Sequence, residues 1–124
     1  MAAQFNNLVY DAALDYIDDN CEKLHILSAD PGVTWANIAT YTLGTKTPPA
    51  IAVPEDATSG RKIVVSAITD GTVSGTGTAT HFALTDDTGT EILCSQALNA
   101  SQDVTDGNTF TLTELEINIP DPTA

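Results

Sequence analysis

The side chains able to do chemistry are few, and their spacing limits what they can do. A nucleophile–base pair needs Cys or Ser beside a histidine, and only His25 and His81 can supply the base. Ser95 follows Cys94, yet no G-x-S-x-G elbow surrounds it. His81, set between Thr80 and Phe82 in an alternating segment, reads as a hydrogen-bonded sheet residue. There is no CxxC, and the histidines do not fall at zinc-site spacing around Cys21 and Cys94. No catalytic, cofactor-binding or metal-ligating residue is assigned on these grounds.

Carboxylates cluster at Asp18-Asp19, at Asp86-Asp87 and at Asp103 with Asp106. Glycoside chemistry needs two carboxyls facing across a cleft, which neighbours in a turn do not provide. Oxygens from Asp86, Asp87, Thr88 and Glu91 would suit calcium, but EF-hand spacing is absent and a plain hairpin is the simpler reading. Gly75-Thr76-Gly77 lacks the pattern of a phosphate loop. Asn99-Ala100-Ser101 is formally a glycosylation sequon, and Trp35 is the sole tryptophan, a thin basis for a carbohydrate platform.

Cys21 and Cys94 leave three readings open. Both are buried free thiols; or they form an intramolecular disulfide, which in the chain-entropy model would contribute about 4 kcal/mol for so long a loop; or they cross-link neighbouring subunits, Cys21 being placed at an exposed helix end.

Seventeen acidic against 4 basic residues give a net charge of −13. Phosphate neutralisation needs clustered Lys and Arg, so nucleic acid is not an expected partner. No run of about 18 apolar residues suits a membrane span, and Met1-Ala2-Ala3-Gln4 lacks the basic start and apolar stretch of a secretory signal. A chain of 124 residues suits one domain with a real core.

The elements that must position these residues begin with a helix over 5–19. Phe5, Leu8, Val9, Ala12, Ala13, Tyr16 and Ile17 recur at helical spacing as one apolar face, with Asp11, Asp15, Asp18 and Asp19 opposite. Asn6 or Asn7 caps its start and Asn20 its end. Lys23–Ser28 reads as a strand ended by the turn Asp30-Pro31-Gly32. A short helical turn follows from Thr34 to Ala39, then an extended Tyr41–Thr45 and a proline-rich loop. Four further strands are expected: Lys62–Thr69, Thr78–Thr85, Glu91–Ala97 and Thr109–Ile119, the last with a bulge near Thr113-Glu114. Gly71–Gly77 reads as a loop or weak edge, and Asp86-Asp87-Thr88-Gly89 and Asp106-Gly107-Asn108 as hairpin-type turns.

These patterns predict an α+β, mainly β domain over 1–124. An antiparallel β-sandwich (jelly-roll or immunoglobulin-like) spans about 23–119, with an N-terminal amphipathic helix. That helix has no second helix to pack on, so it covers its own sheet or meets a neighbouring subunit. Phe5, Leu8, Val9, Ala12 and Tyr16 are the candidate interface.

Several segments carry a family resemblance: Asn7 to Ile17, Tyr41-Thr42-Leu43-Gly44, Gly60-Arg61-Lys62, Ala67 to Gly71, Gly75 to Leu84 and Gly107 to Leu112. Over nearly the whole chain these turn and strand patterns resemble small tailed-bacteriophage virion proteins. The resemblance implies a non-enzymatic virion subunit without cofactor, assembled in the bacterial cytoplasm. Its partners would be capsid, neck or tail subunits and further copies of itself. It also implies a choice among capsid decoration or cement, neck or collar, and fibre-associated roles. A receptor- or glycan-binding module on a fibre is the alternative, and a small enzyme comes third.

Overall fold

The computed structural model describes residues 4–120, so the reading of residues 1–3 as lacking a secretory signal lies outside the described residues. The chain runs α1 (Asn7–Asn20), β1 (Lys23–Leu27), α2 (Ala36–Tyr41), β2 (Thr42–Lys46), β3 (Glu55–Asp56), β4 (Arg61–Val65), β5 (Ile68–Val73), β6 (Gly77–Asp86), β7 (Glu91–Val104), β8 (Thr109–Leu112) and β9 (Leu115–Ile119). It is mainly β, with one long N-terminal helix. A six-stranded sheet ordered β7-β6-β1-β2-β5-β8 curls into a half-barrel, beside a three-stranded sheet ordered β3-β4-β9. Every ladder among the described residues is antiparallel.

β1 sits in the middle of the large sheet, and its last four residues are all buried. A strand covered on both faces loses the apolar–polar alternation of a half-exposed one. Leu24 and Ile26 join the main core, whereas Leu27 packs on the other face with Ile38 of α2 and Ala83 of β6. The turn after β1 forms as its residues dictate: Gly32 has a φ of 59°, and its N–H donates to Asp30 Oδ1 at 2.8 Å.

The main core gathers residues from both sheets and from α1. Leu14, Leu24, Ile26, Phe82 and Leu84 meet Ile63, Val65, Leu115 and Ile117 there. Phe110 is buried against its ladder partner Gly71, where any Cβ would collide with the ring. A second glycine, Gly44, gives the same ring room from β2. The stretch expected to be loop or weak edge thus supplies part of β5, an interior strand.

Two long expected strands are each two strands in different sheets. Lys62–Thr69 breaks at the exposed Ser66-Ala67, so β4 joins the small sheet and β5 the large one. Thr109–Ile119 breaks at Thr113-Glu114, so the expected bulge is a change of sheet. The turn at Gly107 (φ 90°) joins β7 to β8, which pair with β6 and β5 rather than with each other, so it is not a hairpin turn. β7 runs on to Val104, well past the expected Ala97. Opposite Thr80 its register slips: Ala79 faces Gln102 and His81 faces Ala97, leaving residues 98–101 bulged from the ladder.

Candidate functional site

Folding gathers the polar residues of the chain's first third around the β6–β7 turn. His25 is buried on β1 with a different partner at each ring nitrogen. Nδ1 lies 3.1 Å from Thr42 Oγ1, and Nε2 lies 3.4 Å from Asp87 Oδ1. Thr42's hydroxyl also donates its proton to the Ile38 carbonyl at 2.5 Å. Thr85 donates to Asp87, and Lys23 pairs with the same carboxylate at 3.3 Å. Burial pushes His25 below the ordinary imidazole value, against the opposing pull of Asp87. Burial would raise Asp87, but Thr85, His25 and Lys23 together hold its carboxyl below the usual range. This order, Thr–His–Asp, looks like a nucleophilic triad, yet the threonine proton points at a helix carbonyl and the imidazole is covered. The arrangement clamps β1, β2 and the β6–β7 turn together.

Other oxygens of that turn are also engaged by the protein. Asp86 Oδ1 accepts from Gly89 N–H at 2.9 Å, and Glu22 accepts from Thr88 N–H at 2.6 Å and from its hydroxyl at 3.0 Å. Among the described residues no group of three or more His, Cys, Asp or Glu is placed to hold a metal ion. His81, on β6 opposite Leu27, contacts Thr80 Oγ1 at 2.9 Å.

Cys21 and Cys94 are free thiols, both half-buried against the main core. Cys21 closes α1 and its Sγ donates to the Lys23 carbonyl at 3.5 Å. Cys94 sits on β7 opposite Leu84. Burial pushes Cys21 up to about 12 and Cys94 up to about 11, which keeps both protonated and weakly nucleophilic.

Most of the apolar face that periodicity picks out points outward rather than onto the chain's own sheet. Asn6 caps α1, its Oδ1 accepting from Leu8 N–H at 2.8 Å. Tyr10 and Leu14 are buried, with Ile17 and Cys21 continuing the same stripe onto the core. Asp11, expected on the solvent side, turns inward to Arg61 of β4 through two bonds, Nε to Oδ1 at 2.8 Å and Nη2 to Oδ2 at 3.2 Å. Arg61 also reaches Asp56 at 2.6 Å. The outward face therefore carries Leu8 at 74% exposure, Val9 and Tyr16 at 54% and Phe5 at 50%, with Ala12 and Ala13 between them. Of the three aromatic residues Phe5, Tyr10 and Tyr16, Tyr10 is the buried one, with Phe5 edge-on to its ring at 5.9 Å. Beyond this face, burial and then Asp19 and Asp15 raise the Asp18 carboxyl.

A cleft that sequence reasoning missed lies where bulged β7 faces the β8–β9 corner. Two adjoining hollows of about 250 and 340 Å³ share Asn99 and Leu115. Leu98, Leu112 and Leu115 give the first its apolar floor, and Gln96, Glu114, Glu116 and Asn118 give the second a polar rim. Gln102 Nε2 donates to the Thr111 carbonyl at 2.9 Å, tying β7 to β8 through a side chain. The only signal in the sequence is the run of small and polar residues Asn99-Ala100-Ser101 inside a strand.

No helix among the described residues is long and apolar enough to cross a membrane. Comparison with family models, with curated proteins and with solved structures returned no match for this chain.

Proposed function

We propose that this chain is a non-enzymatic structural component of a tailed-phage virion. It acts as a surface accessory protein, capsid decoration or cement or a neck or collar piece, that stabilises contacts between larger subunits. The observation that carries the reading is the outward face of α1: Phe5, Leu8, Val9 and Tyr16 are exposed on a helix that is itself anchored. A contiguous apolar face held rigidly outward marks a protein–protein contact. The segment resemblance supports the kind of particle, and the net charge of −13 favours a position on its outside, away from packaged DNA.

In this reading the two sheets serve as the layers of an antiparallel β-sandwich, jelly-roll or immunoglobulin-like, within one domain over 1–124. The protein assembles in the bacterial cytoplasm as a homo-oligomer on other virion subunits. The test is sedimentation of purified particles. The wild-type chain should be recovered in them at high, fixed copy number. The double variant Leu8→Asp, Val9→Asp, folded by circular dichroism, should stay in the soluble lysate. Recovery of the wild-type chain from lysate alone would end the proposal.

A further inference from the structure

We propose that the cleft between β7 and β9 is a strand-acceptor site for an extended segment of a partner protein, one that alternates apolar residues with Lys or Arg. It uses no residue of α1 and so goes beyond the helix-face contact above. Among the described residues β7 and β9 each end a sheet, β7 pairing with β6 alone and β9 with β4 alone. Each edge therefore has a row of backbone N–H and C=O groups outside any ladder, the usual template for strand addition. Gln96 and Asn99 of β7 line the same hollow as Glu116 and Asn118 of β9, so the two edges face each other across it.

The bulge at residues 98–101, where β7 leaves its ladder with β6, lines this gap. The second hollow, about 340 Å³, falls at the lower end of the range for ligand sites, roughly 300–1,000 Å³, and the first, about 250 Å³, just below it. Leu98, Leu112 and Leu115 would receive the apolar side chains on one face of the incoming strand. Glu114 and Glu116 are exposed at the rim, and the basic group beside them is Lys62, 2.7 Å from Glu116. The rim thus keeps an excess of negative charge, which selects Lys or Arg on the guest. Amide side chains at Gln96, Asn99 and Asn118 can meet its polar edge.

The probe is a short synthetic peptide alternating Lys with Val, titrated into the full chain and followed by backbone amide NMR. Saturable shifts confined to residues 96–102 and 111–118, with new protection of edge amides from exchange, are expected. N-methylation at alternate peptide nitrogens should abolish binding, and a Glu–Val peptide should not bind. Glu114→Lys should weaken the Lys–Val peptide at least about threefold, the scale of an exposed ion pair. Leu8→Asp, Val9→Asp should leave binding unchanged, which separates this site from the helix face. Equal binding of the N-methylated peptide, no shifts at all, or shifts of the same amides by oligosaccharides but not by peptide would overturn the proposal.

Discussion

Arg61 and Asp11, 50 positions apart, form a two-pronged guanidinium–carboxylate bond that sets the roll of α1 on the small sheet. Both side chains are mostly covered, at 15% and 24% exposure. With Asp11 turned inward, Tyr10 and Leu14 follow it into the core. Leu8, Val9, Ala12 and Tyr16 are left outside. The ion pair thereby decides which apolar residues are core and which are surface.

Removing the fork should loosen the helix before the sheets. In Arg61→Ala, amide hydrogens of α1 should exchange faster while those of β1 and β6 keep their protection. Arg61→Lys should rescue only in part, because an ammonium cannot make the parallel pair of bonds. Uniform loss of protection through the chain would show that the pair holds the whole fold instead.

Leu14 and Leu8 test the assignment of the two faces. Leu14→Ala leaves a cavity in the main core, to which Leu24, Ile63 and Leu84 also belong, and should cost about 2–5 kcal/mol in urea unfolding. Leu8→Ala changes an exposed side chain and should stay within about 0.5 kcal/mol. Similar costs for the two would contradict the observed roll.

Stability should fall on acidification in two stages. The folded-state value of His25 lies below the unfolded one, so the unfolded chain takes up the proton first. Stability then drops as the pH falls below about 6.5, the ordinary imidazole value, until the folded histidine protonates too. Asp87 is also held below its ordinary value, so its contribution is present above about 3.9 and is lost as the pH falls further. Asp18, raised in the folded state, works weakly in the other direction. Urea midpoints across this range should show the upper stage in the wild type and not in His25→Gln. A midpoint that does not change between about pH 7 and 5 would refute the histidine contribution.

The thiols make the opposite prediction at alkaline pH. Their folded values of about 12 and 11 lie above the ordinary 9.0, so the unfolded chain ionises first and stability falls as the pH rises through about 9. Iodoacetamide should label Cys21 and Cys94 slowly in the native protein and rapidly in urea. Fast native labelling would mean that the thiols are not protected by the core.

Much of the local structure was legible. Asn6, a helical period and Asn20 placed α1 within a residue or two, and Asp30-Pro31-Gly32 ended β1 as turn chemistry requires. The start of β7 was equally plain, whereas the alternation expected in β6 is lost where Phe82, Ala83, Leu84 and Thr85 are all buried. These features depend on neighbours within a few positions, where propensity and periodicity act.

The tertiary structure decided what depends on distant partners. Apolar residues along α1 are more numerous on the outward face than on the buried one. Counting them leaves open whether Phe5, Leu8, Val9, Ala12 and Tyr16 cover the sheet or meet a neighbour; Arg61 and the space around Leu14 turn them outward. Two-residue breaks at Ser66-Ala67 and Thr113-Glu114 send continuous-looking strands into different sheets, because sheet membership is set by which remote backbone offers hydrogen bonds. For the same reason His25 meets Asp87, and β7 faces β9 across a cleft, although neither pair is close in sequence. The chain alone determined a β-rich, acidic protein with one amphipathic helix. Long-range pairing decided which of its surfaces are left exposed.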